Sequence, residues 1–233
     1  TRRFFFGLGG AAAAAWSASA LAATAAAEDP VLREAVAKLE YLTLPARIST
    51  ILDKGKAGVA KLPLEKLREL GLAPETWTLE VVPDPASDSL VDRPLSRAQG
   101  NALDWKALMQ LAEKHTVRYL HVCVCTNGND PYHMTLWEGV PLREIVLLTG
   151  LKANIRRVYY ESQAGEGLQP FRASLPLSQI LETPPGQNPV ILAYKMNGQF
   201  IPASVGGPVR MVVPSAYGSK LIKWGRRVVL TND

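Results

Sequence analysis

The chain has 233 residues, of which 47% are hydrophobic and 20% are charged. This composition excludes an intrinsically disordered protein and suits one globular domain of about 150–200 residues beside a targeting segment. The formal charge is +5, and it falls to +3 once the two N-terminal arginines are set aside. No basic stripe alternates with aromatic residues, so the sequence argues against a nucleic-acid partner.

Residues 1–27 have the form of a bacterial twin-arginine export signal. Arg2 and Arg3 directly precede an apolar, alanine-rich run from Phe4 to Ala27. An Ala-x-Ala site would allow cleavage after this run, yet the run is also long enough to stay as a helix that tethers the protein to the inner membrane. Proteins exported by this route fold in the cytoplasm, often around a cofactor. We therefore expect a periplasmic protein with a cofactor.

The next part of the chain predicts short helices. Apolar residues at helical spacing predict a helix over 30–41, and a second helix is predicted over 63–70, ended by Gly71. We interpret residues 28–75 as an N-terminal helical cap or linker. Residues 76–233 then form the main domain.

The main domain alternates strand-like runs with helices, which predicts a mixed α+β fold. LDWKALMQLAEKH predicts a helix with Asp104 as its N-cap, and Asn197-Gly198 predicts a two-residue hairpin turn. The predicted strands are WTLEVVPD, VRYLHVCVC, RRVYYES, PVILAYKM, VRMVVP and RRVVLT, and the two short helices are PLREIVLLTG, ended by Gly150, and LPLSQIL.

Both cysteines lie where one predicted strand opens into a loop, in YLHVCVCTNGND. Cys123 and Cys125 are two residues apart, so their Cα atoms would lie about 6.5–7 Å from each other, which disfavours a disulfide. A thiolate is a soft ligand for a metal, and Cys125 comes last before the turn, where it can project into a cleft. The alternative for each is a small buried hydrophobe. His121 shares their face and would line the same cleft or serve as a packing residue, while the spacing gives little support to a zinc site.

The C-terminal third, VGGPVRMVVPSAYGSKLIKW, combines glycines with three cations, Arg210, Lys220 and Lys223. Glycines let the backbone approach a ligand closely, arginine can bind a phosphate through two hydrogen bonds, and lysine acts as a point charge. This pattern predicts a phosphate cradle, with solvated lysines on a turn as the alternative.

Together these stretches resemble the molybdopterin-binding domain of the sulfite oxidase family, which includes the periplasmic methionine sulfoxide reductase catalytic subunit. The resemblance runs in order from Trp77 to Leu230 through WTLEVV, DRPLS, WEGVPLREIVLLTGL, ILAYKMNGQFIP and GGPVRMVVPSAYGSKLIKWGRRVVL. It implies an α+β fold with a mixed, barrel-like β-sheet and short helices around one molybdopterin. It also implies that a single cysteine binds the molybdenum.

Carried over residue by residue, the resemblance implies that the metal-binding and catalytic cysteine is Cys125, with Cys123 as the alternative. It implies that the PVR arginine and the loop after it contact the phosphate and the pterin of the cofactor. The candidate cofactor-binding residues are Arg210, Ser219, Lys220, Lys223, Asn127 and His121.

Two departures from the family pattern bear on the substrate. Val205 and Gly206 stand where the family has a histidine that contacts the phosphate. After the cysteine, Asn127, Asn129 and Asp130 stand where the family has arginines that help to bind an oxyanion. An anion beside an aspartate is electrostatically unfavourable, so we do not expect sulfite as the substrate.

Two functions follow, and we favour the first. It is an exported molybdenum oxidoreductase that passes an oxygen atom or electrons between a substrate and a Cys-ligated metal. Two cysteines cannot ligate an iron–sulfur cluster, and no Cys-x-x-Cys-His haem motif is present, so electrons would pass to a membrane haem subunit or a periplasmic cytochrome. The second is a non-catalytic accessory subunit of a respiratory or photosynthetic membrane complex, which keeps the fold and is anchored by an uncleaved signal helix.

Overall fold

Two five-stranded β-sheets and several short helices make up the part of the chain that this computed structural model describes. The described residues are 62–123, 133–163, 171–214 and 216–233. No helix within these ranges is both long enough and apolar enough to cross a membrane.

Several sequence predictions lie outside the described residues. They concern the export signal of residues 1–27, the helix over 30–41, and the loop residues Cys125 and Asn127. These stay predictions.

The elements are named in chain order. They are α1 (Leu64–Glu69), β1 (Thr78–Pro83), β2 (Leu103–Asp104), α2 (Trp105–His115), β3 (Val117–Cys123), β4 (His133–Pro141), α3 (Leu142–Leu147), β5 (Arg157–Ser162), β6 (Arg172–Pro176), α4 (Leu177–Leu181), β7 (Ile191–Met196), β8 (Gln199–Phe200), β9 (Arg210–Val212) and β10 (Gly225–Thr231), with 3₁₀ turns at Ala203–Val205 and Gly218–Lys220.

Local sequence signals explain several of these elements. The Asp104 carboxylate accepts a hydrogen bond of 2.7 Å from the Ala107 amide, which confirms the predicted N-cap of α2. Asn197 and Gly198 have φ values of 51° and 78°, the left-handed conformation that a tight hairpin between β7 and β8 requires. The helix predicted over 63–70 is also confirmed, as α1.

The first sheet is mixed, with the strand order β2-β1-β10-β5-β6. Its central pair, β1 and β10, is parallel, and its other pairs are antiparallel. The second sheet has the order β3-β4-β7-β8, with β9 pairing with β7 as well, and all its pairs are antiparallel. Strands β4 and β6 were not among the predicted strands.

Buried side chains form a core that both sheets share. Val81 and Val228 of the first sheet belong to the same hydrophobic cluster as Leu192 and Met211 of the second. A separate cluster covers the opposite face of the second sheet. This second cluster consists of Tyr119, Cys123, Trp137, Ile191, Ala193, Ile201, Val212 and Leu221. The central strands β4 and β7 of the second sheet are therefore buried on both faces, and the face that the second cluster covers, here called the outer face, carries the candidate site.

Candidate cofactor site

Alternate side chains of β3 point to the buried outer face of the second sheet and to solvent. Tyr119, His121 and Cys123 are 7%, 5% and 6% exposed, whereas Leu120 and Val122 between them are 38% and 46% exposed. Successive side chains of a strand point to opposite faces, so this pattern places the predicted His121 and Cys123 on the same buried face.

Arg210 reaches this face from the other end of the sequence. It begins β9 and lies opposite Ala193 of β7. Strands β4 and β7 lie between β9 and β3 in the sheet. Its side chain is 8% exposed, and its guanidinium carbon lies 4.9 Å from the centroid of the Trp137 ring in β4. Its Nη1 donates to the Val205 carbonyl at 3.4 Å.

The charges in this cluster influence one another. Burial lowers the pKa of the Arg210 guanidinium to about 10, and the nearby Cys123 thiolate opposes that shift. Burial also lowers the pKa of His121, a hydrogen bond to the Pro214 backbone raises it, and the Arg210 charge lowers it further. The structure therefore brings together three of the residues singled out in the sequence.

The hydrogen-bonding state of His121 follows from its surroundings. A proline backbone offers only a carbonyl, so the histidine is the donor to Pro214. His121 Nδ1 has no partner among the described residues, which leaves Nε2 as the donating nitrogen. In the neutral ring the unpaired Nδ1 is then an acceptor.

Three buried polar atoms on this face lack a hydrogen-bond partner among the described residues. They are His121 Nδ1, Trp137 Nε1 and Arg210 Nε. An unpaired polar atom in the interior costs roughly 1–3 kcal/mol, so three on one face mark a place where a polar ligand would restore lost hydrogen bonds. Two of them donate and one accepts.

A tight turn supports two of the predicted cations. Gly206 has φ 105°, and a Cβ at this position would lie 2.6 Å from the Lys223 Cγ. A Cβ at Gly207 would overlap the Ile201 carbonyl. Because the Val205 carbonyl of the same turn accepts from Arg210, both Arg210 and Lys223 rest against it. Only glycine allows this close approach.

Lys220 is placed differently. Its Nζ donates to the Ser174 carbonyl of β6 at 2.8 Å, and its own carbonyl accepts from the Tyr160 hydroxyl of β5 at 2.9 Å. Both bonds tie the 3₁₀ turn at Gly218–Lys220 to the first sheet. Ser219, in the same turn, is exposed. The structure therefore holds the Lys220 amine toward the first sheet, whereas Arg210 lies on the outer face of the second.

Trp137 is a site residue that the sequence predictions did not single out. It is fully buried and lies opposite Tyr119 of β3. The run TLWEGV contained a signal that could have identified it. Thr135 and Trp137 are two residues apart and so point to the same face of a strand, and this run forms part of β4. The pairing of Trp137 with Arg210 could not be predicted, since 73 residues separate the two.

The donor set fits a polar group that carries a negative charge. A phosphate would accept a hydrogen bond from the unpaired N–H of the buried Arg210 guanidinium and would compensate its charge. Lys223, on the same glycine turn, adds a second positive charge. The unpaired acceptor on His121 suits an N–H or O–H group of a heterocycle. These residues therefore fit the phosphate-bearing pterin expected from the sequence.

Comparisons with known proteins point the same way. The profile of the family described as the oxidoreductase molybdopterin binding domain matches residues 66–233. Sulfite oxidase of Gallus gallus is 37% identical over 101 residues, which cover 42% of this chain and 21% of the relative. Inducible NADH nitrate reductase 2 of Glycine max is 30% identical over 194 residues, 75% of this chain and 21% of the relative.

A solved structure resembles the fold. The sulfane dehydrogenase SoxCD of Paracoccus pantotrophus superposes with a TM-score of 0.56 at 21% identity, over 70% of this chain and 40% of that one. The likeness confirms the predicted α+β fold. The chain spans about a fifth of the length of the sulfite oxidase and the nitrate reductase named above.

Proposed function

Because the chain belongs to the family of oxidoreductase molybdopterin binding domains, we propose that it is a molybdenum oxidoreductase in which one cysteine binds the metal. Membership confirms the resemblance and the molybdopterin cofactor that the sequence implied. When bound, that cofactor supplies the oxygen-atom or electron transfer, and the protein supplies binding, orientation and electrostatics.

One observation supports the proposal above all others. Arg210 is a nearly buried cation whose Nε has no partner among the described residues. Burying a charge is costly unless an opposite charge or strong hydrogen bonds compensate for it. A cofactor phosphate on this face would provide both.

Arg210 and Lys223 are the residues that we assign to the phosphate. They rest on the same glycine turn, so they can act on one anion together. His121 and Asn127 would contact the polar edge of the pterin. We assign Ser219 a contact from the exposed turn.

We keep Cys125 as the metal ligand and Cys123 as the alternative. Cys123 lies in the buried cluster near Arg210, whose positive charge favours the thiolate form of a neighbouring cysteine. Cys125 lies two residues further along the chain, beyond the described part of β3. Thiolate is the form that binds metal, so Arg210 would support the ligand as well as the phosphate.

The remaining proposals concern location and partners. The twin-arginine pattern supports export to the periplasm, with a tether to the inner membrane if the signal stays uncleaved. The two cysteines of these residues are too few for an iron–sulfur cluster. We propose a membrane haem subunit or a periplasmic cytochrome as the electron partner.

The test compares Cys125→Ser with Cys123→Ser in protein exported by a native host. We expect Cys125→Ser to abolish electron transfer to an artificial acceptor, while Cys123→Ser keeps most of it. Loss in Cys123→Ser alone would move the metal to the alternative cysteine. Full folding without activity or molybdenum in the wild type would favour the accessory subunit.

A further inference from the structure

The guanidinium of Arg210 has few polar contacts that could fix the direction of its N–H groups. Among the described residues these are the Val205 carbonyl, at the long distance of 3.4 Å, the nearby Cys123 and the Trp137 ring. A single long hydrogen bond defines the direction of these N–H groups only weakly. The aromatic face, 4.9 Å from the guanidinium carbon, is the broadest of these contacts.

Trp137 is itself held firmly. It lies in β4 between two strands, opposite Tyr119 of β3 and Met196 of β7, and it is fully buried. Two residues further on, a Cβ at Gly139 would lie 2.5 Å from the Leu192 carbonyl, so β4 and β7 are in close contact there. The ring is therefore a fixed surface.

We infer that Trp137 is a positioning residue, whose ring face holds the Arg210 guanidinium in place for binding the anionic group of the cofactor. This inference rests on the proposed function, since it assigns Arg210 to the phosphate. A guanidinium that stacks on an aromatic face lies parallel to the ring, so its N–H groups point sideways and can still donate to other groups. The Arg210 Nε has no hydrogen-bond partner among the described residues, so its N–H can donate to the cofactor.

The inference predicts that the aromatic face matters more than the indole N–H. Trp137→Phe keeps an aromatic face, and Trp137→Met fills the space with a flexible apolar side chain that cannot stack a cation equally well. Tyr159→Leu is the matched control, because it removes a similar pair, with the Arg172 guanidinium 3.7 Å from the Tyr159 centroid, from the first sheet.

The first readout is the rate at which purified protein loses molybdenum in a chelating buffer. We expect Trp137→Met to lose it roughly tenfold to thirtyfold faster than the wild type, and Trp137→Phe no more than about threefold faster. Tyr159→Leu should match the wild type. Equal retention by Trp137→Met and the wild type would overturn the inference, as would equal loss by the Phe and Met variants.

The second readout needs no cofactor. In the cofactor-free protein, the NMR signal of the Arg210 Hε should be displaced by the ring current of Trp137, should stay displaced in Trp137→Phe, and should return to an ordinary value in Trp137→Met. An ordinary value in the wild type would refute the pairing itself. A wild type that holds no molybdenum would instead refute the proposed function, and the two failures are thereby distinguished.

Discussion

Replacing Arg210 by methionine should act in opposite directions on the cofactor-free and the cofactor-bound protein. Burial lowers the pKa of Arg210 to about 10, well below the ordinary value of an arginine. At about 1.4 kcal/mol per pKa unit, this corresponds to a penalty of roughly 3 kcal/mol against the charged form. The penalty acts whenever no anion is bound.

The interactions that would be lost offset part of this penalty. A desolvated cation–π contact with Trp137 contributes about 2 kcal/mol, and the long bond to the Val205 carbonyl contributes less than about 1 kcal/mol. We therefore expect the cofactor-free Arg210→Met protein to be as stable as the wild type or up to about 1 kcal/mol more stable. An apolar side chain of similar volume does not carry the desolvation cost of a buried charge.

The cofactor-bound protein should respond in the opposite sense. Hydrogen bonds to charged groups contribute about 1.5–3 kcal/mol each, so losing one or two of them should reduce molybdenum occupancy more than tenfold. Urea unfolding of the cofactor-free proteins measures the first effect, and elemental analysis of the proteins purified from the native host measures the second. Two results together would contradict this prediction: the cofactor-free Arg210→Met protein is destabilised by more than about 1 kcal/mol, and the variant from the native host keeps the molybdenum content of the wild type.

Three further predictions concern the turns around the site. Gly206→Ala should lower the free energy of unfolding in urea by about 2–3 kcal/mol, since it adds a clash with Lys223 to the strain of a positive φ. The control Gly100→Ala, at φ 70° with open space around it, should lower it by about 1 kcal/mol. Equal losses in the two variants would contradict the close contact between Gly206 and Lys223. Lys220→Met should lower stability by about 1–2 kcal/mol and leave molybdenum content unchanged, because it removes the bond to the Ser174 carbonyl. Lys223→Met should lower molybdenum content, and equal molybdenum content in the two variants would argue against separate roles. Tyr160→Phe tests how stability falls at high pH. Burial raises the pKa of the Tyr160 hydroxyl in the folded state, so its contribution to stability is present below pH 10 and is lost as pH rises further. Chemical unfolding should therefore show a smaller loss of stability between pH 9 and pH 11 for the variant than for the wild type.

Local parts of the fold could be predicted because short-range chemistry determines them. The Asp104 cap, the Asn197-Gly198 hairpin and the alternation that buries His121 and Cys123 all depend on neighbouring residues. The predicted strand boundaries follow from the same kind of pattern.

Other parts depend on contacts between distant segments. Strand β4 was missed because glycine and proline near its end argue against a strand, yet the close approach of Gly139 to the Leu192 carbonyl requires a residue without a side chain. The bond from Lys220 to Ser174 spans 46 residues, and no local signal distinguishes this lysine from Lys223. Which cation faces the cofactor is thus a tertiary property.

The decisive measurement is the molybdenum content per chain, determined by elemental analysis on full-length protein purified from its native host. We expect close to one metal atom per folded chain, together with a phosphate-bearing pterin. A fully folded protein that contains neither would contradict it.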